Sequence, residues 1–204
     1  MVEDRQLSTP PVIGLAGGIG AGKSTLAGIL HSLGCFVSDA DQLARAVLEE
    51  EDVQSTIRGW WGPEMLGEAG KIDRTALGTK VFSDVTALRK LEGLLHPRIE
   101  AARAAAFAAA GTPRAFVIDA PLLFETGLDE ACDAIIYLET PQSVRIERVR
   151  ARGWDEEELL RRERLQWALD RKRERADHVL TNDGSQAVLS ERTRNLLDSI
   201  APQS

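Results

Sequence analysis

The sequence predicts an α/β protein built on a five-stranded parallel sheet, and three observations carry that expectation. Five short apolar runs alternate with segments of helical periodicity. The first run feeds directly into a glycine-rich turn that opens a helix. Between the second and third runs lies a long stretch of helical pattern, the mark of an insertion.

The first strand is expected at residues 12–16, short, apolar and bounded by glycine. The turn after it reads Gly17-Gly18-Ile19-Gly20-Ala21-Gly22-Lys23-Ser24-Thr25. It fits the phosphate-loop spacing of Gly, four residues, Gly, Lys, then Ser or Thr. Backbone N–H groups at Gly18, Ile19, Gly20, Ala21 and Gly22 can converge on phosphate oxygens where side chains would collide. A helix starting near Lys23 aims its N-terminal dipole at the same anion. Lys23 is expected to neutralise β- and γ-phosphates, and the Ser24 hydroxyl to hold Mg²⁺ beside a bound ATP.

A helix over 23–33 follows, with apolar residues at Leu26, Ile29, Leu30 and Leu33, and Gly34 ends it. The second strand, 35–37, runs into Ser38-Asp39-Ala40-Asp41 and another helical run. Two acids at the end of a sheet strand stand where α/β folds take ligands, and one of them is expected to cap the helix. Residues 49–70 are acidic, then rich in Gly and Trp, and Trp60 and Trp61 are expected to pack under a loop. Asp73 should cap a helix reaching residue 82. A long helix over 84–110 is expected to kink or split at His96-Pro97, where proline removes a donor.

The third strand, 114–119, ends on Asp119, a Walker-B arrangement that puts an acid near the metal or its waters. The fourth strand spans 134–138. Arg145, Arg148, Arg150 and Arg152 then precede Asp155, the expected cap of one helix running to about residue 175. This arginine-rich segment reads as a lid that folds over a triphosphate, against the alternative of a solvated, ion-paired face. A fifth strand at 178–181 and a helix over 185–200 finish the chain.

The domain organisation expected is a flexible leader, 1–11, and one domain over 12–204. Its core comprises 12–59, 114–141 and 176–200, with an acceptor-binding insertion near 60–113 and a lid near 142–175. A net charge of −7 argues against a broad nucleic-acid or acidic-membrane surface, and no apolar run is long enough to cross a bilayer. The leader lacks a signal-peptide core, and Cys35 and Cys132 read as buried free thiols, so a cytoplasmic location is expected. A monomer is expected, with an oligomer left open.

A phosphate loop, acids after strands two and three and a late arginine-rich segment describe an enzyme that moves a γ-phosphoryl group onto a small acceptor. A regulatory GTPase would carry a late Asn-Lys-x-Asp segment, which is missing. A non-kinase nucleotide-binding regulatory protein remains the alternative of another class.

The phosphate loop, Asp39-Ala40-Asp41-x-x-Ala44-Arg45, Asp73-Arg74, Leu95-His96-Pro97, Asp119-x-Pro121-Leu122-Leu123-x-Glu125, and Ala176-Asp177 with Asn182-x-Gly184 together resemble the dephospho-CoA kinases. The likeness runs from about residue 13 to 197, nearly the whole chain. It implies a P-loop kinase fold and ATP-dependent phosphorylation of the ribose 3′-hydroxyl of dephospho-CoA, the last step of coenzyme A synthesis. Nucleoside monophosphate, shikimate and gluconate kinases are the sister alternatives. The resemblance implies that Asp41 is the base toward that hydroxyl and Asp39 a neighbour or cap. It further implies that Arg45, His96, Pro97 and Leu122 face the acceptor, and that Asn182 and Gly184 lie near the adenine. The 142–155 segment is slightly longer than the family pattern, and Arg145 and Arg148 are the arginines favoured for the nucleotide. Ala16 stands where the family commonly has threonine.

Overall fold

The computed structural model describes residues 9–67 and 70–202, so most of the expected leader, residues 1–8, lies outside the described residues. The five strands are β1 (Val12–Gly17), β2 (Phe36–Asp39), β3 (Phe116–Asp119), β4 (Ala134–Glu139) and β5 (His178–Thr181). They form one parallel sheet in the order β2-β3-β1-β4-β5. β1 sits at its centre, with Leu15 level with Asp119 on one side and Gly17 level with Leu138 on the other. The crossover after β1 leads to β2 on one flank and the crossover after β3 leads to β4 on the other, so the turn after β1 opens at the switch point where α/β sheets take ligands.

Burial explains why these runs are strands. Ile13, Leu15, Val117, Ile136 and Leu138 are at or near zero exposure, as expected of strands covered on both faces. α1 (Lys23–Ser32) and α9 (Gln186–Ile200) pack on each other, and Leu26, Leu30, Leu189 and Leu197 join the sheet core. Truncating one such leucine to alanine costs about 2–5 kcal/mol. The backbone pairing begins one residue before β1, because the Pro11 carbonyl accepts from Phe116 N at 2.9 Å.

The rest of the chain comprises α2 (Ala40–Leu48), α3 (Glu51–Trp61), α4 (Arg74–Ser83), α5 (Val85–Ala109), α6 (Gln142–Arg150), α7 (Glu156–Glu163) and α8 (Leu169–Arg175). Two compact units emerge: one has everything up to Ser38 and from Ala110 onward, the other is Asp39–Ala109. The second unit has its own core, in which Val47, Val53 and Ile57 meet Leu77, Val81 and Leu91. The helices α2 and α3 therefore pack with the helical insertion, whereas the sequence suggested that residues up to 59 belong to the sheet core.

Three local expectations change. The acidic and Trp-rich stretch after residue 49 contains a helix, α3, whose buried Val53 and Ile57 stand one turn apart. Gly59 within it obscured the pattern. Of the kink or split expected at Pro97, the split does not occur: α5 passes through as one element. The proline removes the donor owed to the Gly93 carbonyl, and both residues are exposed, so water can serve that acceptor. The single helix expected from Asp155 breaks into α7 and α8 at residues 164–168. There the Trp167 N–H leaves the helical ladder and donates to Glu125 Oε1 at 2.7 Å, while the Trp167 ring stacks on Phe124 at 5.7 Å. Cys35 is buried, its thiol pushed up by burial, and Cys132 is only half-buried and donates to the Leu128 carbonyl; neither forms a disulfide among the described residues.

Candidate active site

The phosphate loop occupies the turn between β1 and α1. Gly20 and Gly22 adopt positive φ, 76° and 100°. A Cβ on Gly20 would lie 2.9 Å from the Arg145 carbonyl, and one on Gly22 would lie 2.8 Å from Asn182 Nδ2. Only glycine satisfies both the dihedral and the space.

Side chains from three other elements hold the loop by its carbonyls. The Ala21 carbonyl accepts from Thr140 Oγ1 at 2.9 Å, from Arg148 Nη1 at 2.8 Å and from Asn182 Nδ2 at 2.8 Å. Arg148 Nη1 also reaches the Gly20 carbonyl at 3.3 Å, and Arg145 Nη1 the Ile19 carbonyl at 3.3 Å. Among the described residues, the N–H groups of Gly20, Gly22 and Ser24 find no protein acceptor. A trans peptide sets its N–H opposite its carbonyl, so tethering carbonyls leaves a set of free donors available to an anion. Lys23, Ser24 and Thr25 begin α1, with Ser24 and Thr25 exposed.

Asp119 ends β3 half-buried, two residues before the level of Gly17 across the sheet. The Ser24 hydroxyl in the first turn of α1 and the Asp119 carboxylate at the end of β3 are hard oxygen donors, the type that magnesium takes while keeping several waters. Ser24 and Asp119 therefore fit such an ion in donor chemistry.

The arginines of α6–α8 divide into two groups. Arg145 is 5% exposed and ion-paired with Glu163 of α7, while Arg148 is committed to loop carbonyls. Most of the others form surface pairs: Arg161 and Arg162 with Glu158, Arg173 with Glu139 and Arg175 with Asp129. The Glu158 carboxyl is pulled down to about 2 by those two arginines. Arg171 instead lies over the Trp167 ring at 3.3 Å.

In the second unit, Asp39 closes β2 and caps α2, its Oδ1 accepting from Gln42 N at 2.9 Å. Asp41 lies in the first turn of α2, exposed. Arg45 follows one turn later, and α2 packs on α5, which carries exposed His96 and Pro97. The side chains of Asp41, Arg45 and His96 make no hydrogen bond or ion pair among the described residues. Leu122 is 40% exposed in the turn after β3, and Gly184 is exposed just before Ser185 caps α9. The structure thus brings Arg145, Arg148 and Asn182 to the phosphate loop by hydrogen bonds, whereas Leu122 and Gly184 form none with it among the described residues.

A family model for dephospho-CoA kinase matches residues 11–187. The chain belongs to the dephospho-CoA kinase family. A dephospho-CoA kinase from Anaeromyxobacter dehalogenans is 41% identical over 191 residues, 91% of this chain and 90% of that one. Another from Deinococcus radiodurans is 41% identical over 179 residues, 86% of this chain and 85% of that one. A crystal structure from Thermus thermophilus superposes with a TM-score of 0.83 at 36% identity, covering 96% of this chain and 99% of that chain. A dephospho-CoA kinase structure from Campylobacter jejuni gives 0.63 at 25% identity, covering 95% and 99%.

Sequence reasoning missed several residues of this dephospho-CoA kinase site. Thr140 directly follows β4, and a strand-end position was its available signal. Glu125 was visible within the Pro-Leu-Leu run but drew no role. Glu163 and Lys172 lie in a segment so charged that no pattern distinguishes them.

Proposed function

We propose that this chain transfers the γ-phosphoryl group of ATP to the ribose 3′-hydroxyl of dephospho-CoA, giving coenzyme A and ADP. The observation that carries the reading is the match of the dephospho-CoA kinase family over nearly the whole chain, joined to a phosphate loop tethered by its carbonyls. The loop's free N–H groups and Lys23 hold the β- and γ-phosphates. Arg148, kept at the loop by its hydrogen bonds, spreads the charge that develops during transfer. Ser24 and Asp119 would hold Mg²⁺. When bound, that ion supplies neutralisation of the phosphate oxygens.

Asp41 is the base. It takes the proton of the 3′-hydroxyl as the oxygen attacks the γ-phosphorus and the bond to the ADP oxygen breaks. The support is a division of labour between two neighbouring acids. The Asp39 carboxylate is engaged as a cap, while Asp41 has no partner among the described residues and so is available to receive a proton. Arg45, His96, Pro97 and Leu122 receive the acceptor, and Asn182 supports the loop on the donor side. Gly184 lies near the adenine. The helices α6–α8 act as the lid and exclude water that would otherwise hydrolyse ATP. A cytoplasmic monomer that uses no nucleic acid completes the reading. Among the described residues, no helix is long and apolar enough to cross a membrane.

The test is incubation of the pure protein with Mg-ATP and dephospho-CoA, read by mass. One added phosphate on dephospho-CoA, and none on shikimate, gluconate or AMP, is expected. Phosphate on one of those controls instead would overturn the acceptor assignment.

A further inference from the structure

Lys172 is the most conspicuous buried cation in the fold, only 1% exposed in the middle of α8. Its Nζ lies 2.9 Å from Glu125 Oε1 and 3.0 Å from Gln166 Oε1. The same Glu125 Oε1 accepts the Trp167 N–H at 2.7 Å, and Oε2 is sealed from solvent without a partner. Burial alone would raise the Glu125 carboxyl, but hydrogen bonds from Lys172 and Trp167 N–H hold it below its ordinary range.

Stability does not account for this arrangement. Two desolvated charges cost nearly what their attraction returns, and an apolar pair of similar volume is often as stable or more so. Geometry does account for it. One oxygen grips α8 at two points, the amide just before its start and a side chain one turn inside. Leu169 lies between those points, and its Cδ2 is 3.2 Å from where a Cβ on Gly18 would sit. The neighbouring Phe124 stacks on Trp167 with ring planes 7° apart, so the grip also controls rotation at the α7–α8 break. Just beyond that break, Glu163 holds Arg145, whose guanidinium donates to the Ile19 carbonyl.

We propose that Glu125 and Lys172 are positioning residues whose ion pair seats α8 on the phosphate loop and sets the register in which α6–α8 close over the nucleotide. Only the turnover part of this rests on the kinase reading above. Neither side chain touches the reacting atoms; both act through Leu169, Glu163 and Arg145.

The decisive variant is the double substitution Glu125→Gln with Lys172→Met, which removes both charges and keeps the volume. Its melting temperature is expected to match or exceed the parent's. Amide exchange over residues 164–175, without ligand, is expected to accelerate about tenfold while the sheet stays protected. Turnover of dephospho-CoA should fall about 10- to 100-fold, as for an ångström-scale misplacement. Parental exchange in that segment, or parental turnover with exchange raised, would overturn the proposal. Gln166→Ala is the milder companion: it keeps the charges paired, and the same segment should loosen to a smaller degree. Were the parent itself inactive on dephospho-CoA, the exchange comparison would still decide the positioning role, so the two failures are separable.

Discussion

The phosphate loop and the helical second unit are built on opposite principles. Around the loop, three consecutive carbonyls are held by Arg145, Arg148, Thr140 and Asn182, and glycines occupy positions where a Cβ has no room. In the second unit, Asp41, Arg45, His96 and Pro97 are exposed, and none of the three polar side chains has a hydrogen-bond or ion-pair partner among the described residues. The first region is complete before any ligand arrives. The second keeps its chemistry uncommitted, on helices fixed by a separate apolar core. Preorganised donors suit an anion whose shape does not vary, because they need no rearrangement as charge develops. Unpartnered side chains suit an acceptor that supplies their partners.

The strongest way to break that contrast is at Lys23. Lys23→Ala should cost about 10³-fold or more in turnover, since Arg145 and Arg148 are already engaged by loop carbonyls and do not take the place of an ammonium at the phosphates. Steady-state kinetics with dephospho-CoA checks it, and a variant of parental activity would mean that the loop does not hold the donor. Acid offers a gentler lever on the same region. Glu125 has a native value below its ordinary 4.5, so its pairing with Lys172 stabilises in full above that ordinary value and is lost as pH falls through the native one. Exchange protection over α8, corrected for intrinsic rates, should therefore hold at neutral pH and decline only as pH falls below the ordinary carboxylate range. The step should vanish in Glu125→Gln.

The fold was legible because its signals are local. Five short apolar strands, the glycine turn and the caps at Asp73 and Asp155 all read directly from residue type and spacing. The candidate site was legible where one short motif holds it, at residues 17–25 and 39–41. It was not legible where distant segments meet. Asn182 reaches the Ala21 carbonyl across 161 positions, and Trp167 reaches Glu125 across 42. The break between α7 and α8 coincides with that second contact, and the intervening sequence contains neither proline nor glycine to announce it.

Asp39 and Asp41 bring the contrast down to two carboxylates two residues apart, one engaged and one free. The most direct test compares Asp41→Asn with Asp39→Asn in single-turnover experiments at saturating Mg-ATP, alongside ATP binding. Asparagine caps a helix as well as aspartate does, so Asp39→Asn should keep the parental rate. Asp41→Asn should bind ATP like the parent and lose about 10²-fold or more in the transfer step, as expected when a general base is removed. A parental transfer rate in Asp41→Asn, or the larger loss in Asp39→Asn, would contradict the assignment.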